Sequence, residues 1–548
     1  MTARARGYFL FLALPAFLAT PATVLAQKKT ASKQAVEARL KAAEKPKAAS
    51  PIDDVIQTLF ATHHFEQAAI SPDGKKVAWV ETLTGKDGAP NGKTSVYVAD
   101  REGTAPPKRI SATAGAVTHA EGSVAWSPDS KQIAFLSDAV KSGQFQLYVT
   151  SANGGPAKKL TSVRGFLASP GWSPDGKTIA ILFTENATRA AGPLVAETPE
   201  TGEIKDAFFE QRLALVDVAS AKLRQISPAD TYIYEYDWSP DGQRFAVTAA
   251  LGNGDNNWWI AELYTLEAAT GLMKSIHKPK LQIANPVWSP DGKQIAFIHG
   301  LMSDEGLTGG DIFSISALGG EAQNLTPDMK ASASWIEWTP EGKIVFGKYV
   351  SGDAGVSIVD PATREISPVW RGGERAYVGG TGTTLSLAND GKTSAIIRSS
   401  FSDPPEIWAG AIGYWKQLTT RNKDVKPAWG EGRSIEWKSG GHDVQGWLLY
   451  PRNFDPSKKY PLVVRVHGGP SWAVLSEWPT SHDFAVALAG AGYFVLQPNP
   501  RGSFGQGEAF TQGNVRDFGY GDFQDVLAGV DPALKAAPSL LRPFRVTL

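Results

Sequence analysis

A four-residue phrase that recurs along most of the chain constrains its fold more than any other feature. Ser71-Pro72-Asp73-Gly74 is the first copy, and six further copies, the last two looser, begin at residues 127, 173, 239, 289, 339 and 388. Proline presets φ at the first corner of a tight turn, aspartate bonds back to its own backbone, and glycine accepts the left-handed conformation. Each copy therefore predicts a hairpin between two strands.

The spacing of the copies, 46 to 66 residues, is that of a propeller blade rather than of a helical solenoid. Residues after the turns alternate large and small, as in Ile133-Ala134-Phe135, which is typical of strands that stack closely. The pattern predicts a mainly β fold with seven four-stranded blades inside a propeller domain at 51–430. A large apolar residue precedes most turns: Ile70, Trp126, Trp172, Trp238, Trp288 and Trp338. We interpret these residues as packing between blades rather than as an aromatic stripe that binds a ligand.

Composition excludes several kinds of partner. Lysine plus arginine and aspartate plus glutamate number 55 each, so no global charge favours nucleic acid or an anionic membrane surface. The chain has no cysteine, which excludes thiolate metal sites and cysteine catalysis. Asn253, Asp255 and Asn257 alternate as calcium ligands do, but Tyr264 stands where such a loop needs glutamate. We therefore predict a polar loop there and expect neither a metal nor another cofactor.

The amino-terminal residues have the pattern of an export signal. Arg4 and Arg6 precede an apolar run at 8–19, and small residues lead up to Gln27. We predict a cleaved signal peptide at 1–26, an exported protein in the periplasm or outside the cell, and no membrane attachment after cleavage. Residues 27–50 are rich in lysine and alanine and are predicted to form a solvated linker.

A different pattern begins near residue 431. A strand pair is predicted at 434–437 and 445–450, followed by a buried strand at 462–466, a helix at 484–491 and a strand at 493–497. This order is that of a β-α-β unit in a doubly wound sheet. His467-Gly468-Gly469-Pro470 follows the buried strand directly, where glycines leave backbone N–H groups free to face an oxyanion. The segment 431–548 therefore predicts the first part of an α/β-hydrolase domain.

Taken together, the repeats, the segment from Tyr460 to Pro470 and the segment 497–505 resemble the prolyl oligopeptidase family of serine peptidases, in its acylaminoacyl and dipeptidyl peptidase branches. The resemblance implies an exported peptidase that cleaves short peptides through a serine ester. It implies that His467, Gly468 and Gly469 line the oxyanion side of the site, and that the loop Arg501-Gly502-Ser503 shapes its wall. By the same resemblance Glu235 could pair with a substrate's α-amino group, the alternative being a solvated carboxylate at a strand edge.

The family also requires a helix, a strand and a Gly-x-Ser-x-Gly elbow after this loop. A helix is predicted at 522–537, broken or kinked by Pro532, but no Gly-x-Ser-x-Gly occurs in the 548 residues, and we expect neither strand nor elbow after Ser539. No histidine follows His482 to act as the base. We interpret Ser471 and Ser503 as ordinary loop serines, not nucleophiles.

With nucleophile, acid and base all absent, we predict that the chain is truncated within its hydrolase domain and is inactive alone. The alternative hypothesis is a noncatalytic propeller, similar to that of TolB, which binds a peptide or protein partner.

Overall fold

The computed structural model describes residues 50–84, 90–103, 105–115, 119–187, 209–252, 254–480, 483–537 and 545–547. The predicted signal peptide and nearly all of the predicted linker lie outside these residues. Residues 51–548 belong to one compact unit. Of the helices described, none has both the length and the apolar character that crossing a bilayer demands.

Seven antiparallel sheets follow one another along the described part of the chain, and the mainly β prediction is confirmed. The first holds β1 (Phe65–Ile70), β2 (Lys76–Thr84), β3 (Pro90–Asp100) and β4 (Lys108–Ile110). The second holds β5 (Glu121–Trp126), β6 (Gln132–Ser137), β7 (Gln146–Ser151) and β8 (Lys158–Lys159). The third holds β9 (Gly165–Trp172), β10 (Thr178–Glu185), β11 (Gln211–Asp217) and β12 (Leu223–Gln225).

The next three sheets repeat this order of four strands. The fourth holds β13 (Thr231–Trp238), β14 (Arg244–Leu251), β15 (Glu262–Glu267) and β16 (Met273–His277), with a 3₁₀ helix at Gly254–Ile260. The fifth holds β17 (Gln282–Trp288), β18 (Gln294–Gly300), β19 (Asp311–Ser316) and β20 (Gln323–Asn324). The sixth holds β21 (Ser332–Trp338), β22 (Ile344–Val350), β23 (Asp353–Val359) and β24 (Ile366–Gly372).

The seventh sheet departs from the predicted four strands because two short strands pair with the same neighbour. It holds β25 (Arg375–Tyr377), β26 (Ser386–Leu387), β27 (Thr393–Ser399), β28 (Glu406–Ala411) and β29 (Tyr414–Gln417). Both β25 and β26 pair with β27. Residues between β25 and β26 loop out instead of continuing one long first strand.

Buried apolar side chains close the sheets into a ring. Each sheet shares a hydrophobic cluster with the next, from the first and second sheets to the sixth and seventh. The seventh sheet in turn packs on the first, where Ala395 and Ile397 join Ala68 and Trp79 in one cluster. First strands of neighbouring sheets, such as β13, β17 and β21, contact one another and therefore line the axis of the ring.

The recurring turns close as their residue types predict. In the first copy the Ser71 hydroxyl donates to Asp73 at 2.7 Å, and the N–H of Gly74 donates to the Ser71 carbonyl at 2.8 Å. Gly74 has φ of +70°, the left-handed conformation that glycine adopts without strain. Hydrogen bonds hold the pKa of Asp73 below its usual range, although burial acts in the opposite direction.

Of the five tryptophans that precede the turns, all but Trp288 join neighbouring sheets through a hydrogen bond from the indole N–H within the described residues. The indole N–H of Trp126 donates to the Ala69 carbonyl at 3.0 Å, and that of Trp172 donates to the Ala125 carbonyl at 3.1 Å. Each acceptor lies one residue before the corresponding position of the preceding sheet, so the contact repeats with the sequence. These geometries support packing between sheets as the role of the tryptophans.

An eighth, mixed sheet follows the ring, with strand order β30-β31-β33-β32-β34. Its strands are β30 (Gly432–Ser439), β31 (His442–Leu449), β32 (Leu462–Arg465), β33 (Phe494–Asn499) and β34 (Arg545–Thr547). Around them lie α1 (Pro51–Ala61), α2 (Phe484–Gly490), α3 (Glu508–Thr511), α4 (Gly521–Ala528) and α5 (Val530–Ala536), with a 3₁₀ turn at Gln512–Asn514. Strands β32 and β33 are parallel, as a β-α-β unit requires.

One prediction for the carboxyl-terminal segment is wrong, and another agrees with the structure. A strand does follow Ser539, because β34 pairs in parallel with β32, with Thr547 opposite Arg465. The predicted helix at 522–537 is divided into α4 and α5 at Gly529, three residues before Pro532. Pro532 has no N–H to donate to the Ala528 carbonyl four residues earlier, and its ring crowds that carbonyl, so the interruption lies where a proline at this position is expected to cause it.

The mixed sheet sits at the end of the ring away from the recurring turns. Its loops contact the connections between second and third strands, at Gly309 in the fifth sheet, Ser351 in the sixth and Phe401 in the seventh. Strands of an antiparallel sheet turn at opposite ends, so these connections lie opposite the Ser-Pro-Asp-Gly turns. The hydrolase-like segment therefore covers one mouth of the ring on its fifth to seventh sheets.

Candidate active site

The site is built at the carboxyl end of β32, where the strand stops and the chain turns. His467 is half-buried, and the two glycines that follow it are exposed. Gly469 has φ of +136°, a conformation that side-chain-bearing residues rarely adopt. Within the described residues, the N–H groups of Gly468 and Gly469 donate no hydrogen bond. Two free donors at a strand end are what an oxyanion site needs.

The His467 ring is held by two hydrogen bonds. Its Nδ1 lies 2.8 Å from the Gly468 carbonyl, which can only accept, so Nδ1 carries the proton. Its Nε2, 3.0 Å from the Ser503 Oγ, accepts the hydroxyl proton. Burial lowers the pKa of His467, and the nearby Arg465 lowers it further, against the hydrogen bond to Gly468. The imidazole is therefore neutral at physiological pH.

The contact between Ser503 and His467 joins two of the predicted site segments. A hydroxyl donating to imidazole is also the arrangement of a nucleophile and its base. Ser503, however, is only 1% exposed, so a substrate carbonyl has no access to its oxygen. The pair orients the histidine and gives no support to Ser503 as a nucleophile. Ser471 is equally buried.

Arg501 anchors the Arg501-Gly502-Ser503 loop to α4. Its backbone N–H and its Nε both donate to Oδ2 of Asp525, at 2.9 and 2.8 Å, and Nη2 donates to Oδ1 at 2.7 Å. Burial alone would raise the pKa of Asp525, but the hydrogen bonds from Arg501 and Ser439 hold it below its usual range. The loop is thus fixed by a forked ion pair. No local sequence pattern marks Asp525 as the partner, because 24 residues separate it from Arg501.

A second polar group missed by the sequence lies beside the oxyanion turn. Arg465 donates from Nη1 to Oε1 of Gln497 at 2.6 Å and lies 3.1 Å from Asp483. Trp472 lines the same cavity of about 180 Å³ and meets the His467 ring edge-on at 5.5 Å between centroids. Trp472 therefore packs directly on the His467 ring, in addition to the hydrogen bond that Ser503 donates.

The propeller ring reaches the oxyanion turn through the connection between β18 and β19. Ser303, in that connection, lies 3.5 Å from the Ser471 carbonyl. A Cβ placed on Gly469 would lie 3.4 Å from the Ser303 hydroxyl oxygen. Leu301 donates its N–H to Glu508 of α3 at 2.8 Å. A substrate at the oxyanion turn would therefore lie against this part of the ring.

Glu235 lies elsewhere, on β13 of the fourth sheet. Its Oε2 accepts the N–H of Asn285 on the next sheet at 2.9 Å and the Thr248 hydroxyl at 3.1 Å. Burial raises the pKa of Glu235 to about 6, partly offset by these two hydrogen bonds. The described contacts of Glu235 join two sheets, and none of them is with His467 or Ser503. A similar bond joins Gln67 to Val124 between the first two sheets, at 2.7 Å.

Comparison with known proteins agrees with this division of the chain. A family model described as the TolB beta propeller domain matches residues 58–211, and the model of the prolyl oligopeptidase family matches residues 478–543. An uncharacterised peptidase of Bacillus subtilis, YuxL, is 26% identical over 86% of this chain and 74% of its own length. Dipeptidyl-peptidase 5 of Porphyromonas gingivalis is 25% identical over 86% of this chain and 71% of its own length.

Solved structures show the same fold. Acylaminoacyl peptidase of Pyrococcus horikoshii superposes with a TM-score of 0.66 at 19% identity, covering 90% of this chain and 74% of that one. A puromycin-hydrolysing peptidase of Mycobacterium tuberculosis superposes with a TM-score of 0.62 at 17% identity, covering 91% of this chain and 75% of that one. A ring of sheets followed by a hydrolase sheet is therefore an arrangement found in solved peptidases.

Proposed function

Because the chain belongs to the prolyl oligopeptidase family of serine peptidases, we propose that it forms the seven-bladed propeller and the first part of the hydrolase domain of an exported peptidase acting on short peptides. The observation that carries the proposal is the oxyanion turn. Gly468 and Gly469 present two free N–H groups beside a neutral, doubly held His467. A propeller that only binds a partner has no use for this arrangement.

In the proposed reaction a serine oxygen attacks the carbonyl carbon of a peptide bond. The carbonyl oxygen takes up the electron pair, and the N–H groups of Gly468 and Gly469 donate to it. The amine then leaves with a proton, and water releases the acyl group from the serine ester. The ring of seven sheets admits only short peptides to the site, because folded proteins are too wide to pass along the axis of a propeller.

The residues that carry out the bond-making steps are not among these 548. No Gly-x-Ser-x-Gly is present, and Ser471 and Ser503 are both buried. We therefore propose that residues 27–548 alone have no measurable peptidase activity, because oxyanion donors without a nucleophile, base and acid leave little of the rate.

A fluorophosphonate that reacts with activated serines tests both parts of the proposal. The protein that the gene encodes in its source organism, purified from that source, is expected to be labelled on one serine and to cleave short peptides. Purified residues 27–548, whose folding is verified by circular dichroism, are expected to stay unlabelled. Labelling of residues 27–548 would overturn the proposal that they are inactive. Absence of labelling in the protein purified from its source would overturn the proposal that it is a serine peptidase.

The second candidate function is a noncatalytic propeller that binds a peptide or protein partner. The match of residues 58–211 to the TolB beta propeller domain favours it. If the protein purified from its source resists labelling but purifies with one stoichiometric partner, this candidate function would be established instead. Export is part of both proposals and is tested by the amino terminus of the mature protein, which we expect at Gln27.

A further inference from the structure

A cavity of about 430 Å³, within the size range of small-molecule sites, is enclosed by the inner strands of the ring. Its wall comes mostly from the first strands of the first three sheets, β1, β5 and β9, and from the residues that follow β25 in the seventh sheet. Because first strands line the axis of the ring, we call it the axial cavity. Among the described residues, none from the mixed sheet or from the segment 418–431 that connects the ring to it lines this cavity.

Hydrogen bonds between sheets hold the wall of the axial cavity in place. Nε2 of Gln67 donates to the Val124 carbonyl at 2.9 Å, and the N–H of Val124 donates back to Oε1 of Gln67 at 2.7 Å. On the other side of β1, the N–H of Ala68 donates to the Val378 carbonyl at 3.0 Å. The wall is therefore preformed, and a ligand would not have to order it.

Glu66 is the one ionisable side chain in the described wall of the axial cavity. It lies on β1, the innermost strand of its sheet, and is nevertheless exposed, so its side chain is reached from the axis. Burial raises the pKa of Glu66, and within the described part of the chain no neighbouring charge or hydrogen bond acts in the opposite direction. Glu66 is therefore a partly desolvated carboxylate without a counter-ion.

The strands around the axis supply no cation for this carboxylate. The first strands of the first six sheets contain glutamate and aspartate but neither lysine nor arginine. In the seventh sheet, Arg375 of β25 donates to Glu477 and to the Gly380 carbonyl, so its charge is already engaged. The cation that complements Glu66 is left to a ligand.

The rest of the axial cavity suits the hydrocarbon part of such a ligand. Val124, Pro170 and Val378 line it with apolar side chains, and Ser123 and Ser169 add two side chains that carry hydroxyl groups. An ammonium group has three N–H donors and no acceptor, so carboxylate and hydroxyl oxygens are its natural partners. A short hydrocarbon chain behind the ammonium group would pack on the apolar side chains.

We propose that the axial cavity binds a primary ammonium group carried on a short apolar chain, with Glu66 as its counter-ion. A free alkylamine, a lysine side chain and the amino terminus of a peptide that begins with an apolar residue all offer this chemistry. In each case the ion pair would form in a partly enclosed site, where attraction between charges is stronger than at an open surface. The proposal concerns binding by the ring and does not depend on peptidase activity.

Titration of the purified chain with n-butylamine, followed by saturation-transfer NMR of the amine, tests the proposal. The amine is protonated at neutral pH, and sodium chloride holds the ionic strength constant. We expect saturable binding of n-butylamine and at least tenfold weaker binding of n-butanol, which has the same hydrocarbon chain without the charge. Absence of saturable binding of n-butylamine, or equal binding of n-butanol, would overturn the proposal.

Two further probes distinguish the sources of the ammonium group. Acetyl-lysine amide, acetylated on its α-nitrogen, carries the charge at the end of its side chain, whereas valine amide carries it on Cα beside an apolar side chain. Binding of acetyl-lysine amide alone would identify a lysine side chain as the ligand, and binding of valine amide alone would identify a peptide amino terminus. Binding of n-butylamine without either would identify a free amine. Each of these three outcomes supports the proposal.

A charge-matched set of variants separates this site from general attraction of cations. Glu66→Gln removes the charge, keeps the size of the side chain and is expected to weaken binding of n-butylamine at least tenfold. Glu66→Asp keeps the charge and is expected to bind more tightly than Glu66→Gln. Glu321→Gln removes the same charge from an exposed position outside the cavity and is expected to bind as the parent does.

Binding that Glu66→Gln leaves unchanged, or equal weakening by Glu66→Gln and Glu321→Gln, would place the amine elsewhere and overturn the proposal. Equal loss in Glu66→Asp and Glu66→Gln would contradict recognition of the charge. Circular dichroism verifies that each variant is folded.

Discussion

At the scale of single residues, two carboxyl groups beside the ring axis give the fold an unusual pH response. Burial raises the pKa of Asp237 to about 7, and burial together with the charge of Asp237 raises that of Glu337 to about 8. Asp237 accepts the N–H of Trp288 on the next sheet at 2.8 Å. A carboxyl whose pKa is raised by folding stabilises the protein below its unfolded pKa of about 4, and this contribution is lost as pH rises through the folded pKa.

Glu337→Gln is therefore expected to stabilise the ring increasingly between pH 5 and pH 8. Glutamine stays neutral at both values, so it avoids placing a charge beside Asp237. Thermal unfolding followed by circular dichroism at the two pH values measures the effect. Glu341→Gln is the matched control, because the pKa of Glu341 is lowered by hydrogen bonds in its own turn. A control with the same gain at pH 8 would contradict the assignment to Glu337.

At the scale of elements, two tryptophans of similar burial differ in whether the indole N–H donates a hydrogen bond to the neighbouring sheet. Trp172 donates to the Ala125 carbonyl, whereas the N–H of Trp288 has no partner within the described residues. Replacing tryptophan with phenylalanine removes the same side-chain volume at both positions. Trp172→Phe is expected to lower the free energy of unfolding by about 1 kcal/mol more than Trp288→Phe, measured by urea unfolding. Equal losses would show that volume alone matters.

The break between α4 and α5 makes a second prediction at this scale. A Cβ on Gly529 would lie 2.7 Å from the Trp437 ring, closer than real contacts allow. Gly529→Ala is expected to cost about 1 to 3 kcal/mol in urea unfolding. Pro532→Ala, in the first turn of α5, is expected to change stability by less than about 1 kcal/mol. A larger loss for Pro532→Ala than for Gly529→Ala would contradict the prediction.

How far sequence reasoning reached depends on the range of the interaction. The hairpins at Ser71 and its repeats follow from turn chemistry within four residues, and the strand before His467 follows from its local apolar run. The partner of Arg501 is 24 residues away, and Ser503 meets His467 across 36 residues. The close packing of Gly529 against Trp437 likewise joins two residues that are distant in sequence. Such pairings depend on the folded chain, so local patterns did not predict them.

At the scale of the whole molecule, Phe504 ties the hydrolase sheet to the ring. It is 2% exposed and stacks on Tyr349 of β22 at 5.4 Å between centroids. Phe504→Ala is expected to cost about 3 to 5 kcal/mol and to expose residues 418–431 to protease. Phe454→Ala removes a ring that packs on Phe494 within the hydrolase sheet, so it should destabilise without speeding that cleavage. Equal cleavage in both variants would contradict the prediction.

The seam between the first and seventh sheets has a mechanical consequence. Every sheet of the ring is made of consecutive residues, so no strand crosses the seam to complete a ladder with the opposite end. Side-chain packing and a few bonds, such as Ala68 to the Val378 carbonyl at 3.0 Å, hold it shut. Under tension the ring would open first at this seam. The sheets would then unfold one after another, each losing contact with one neighbouring sheet at a time.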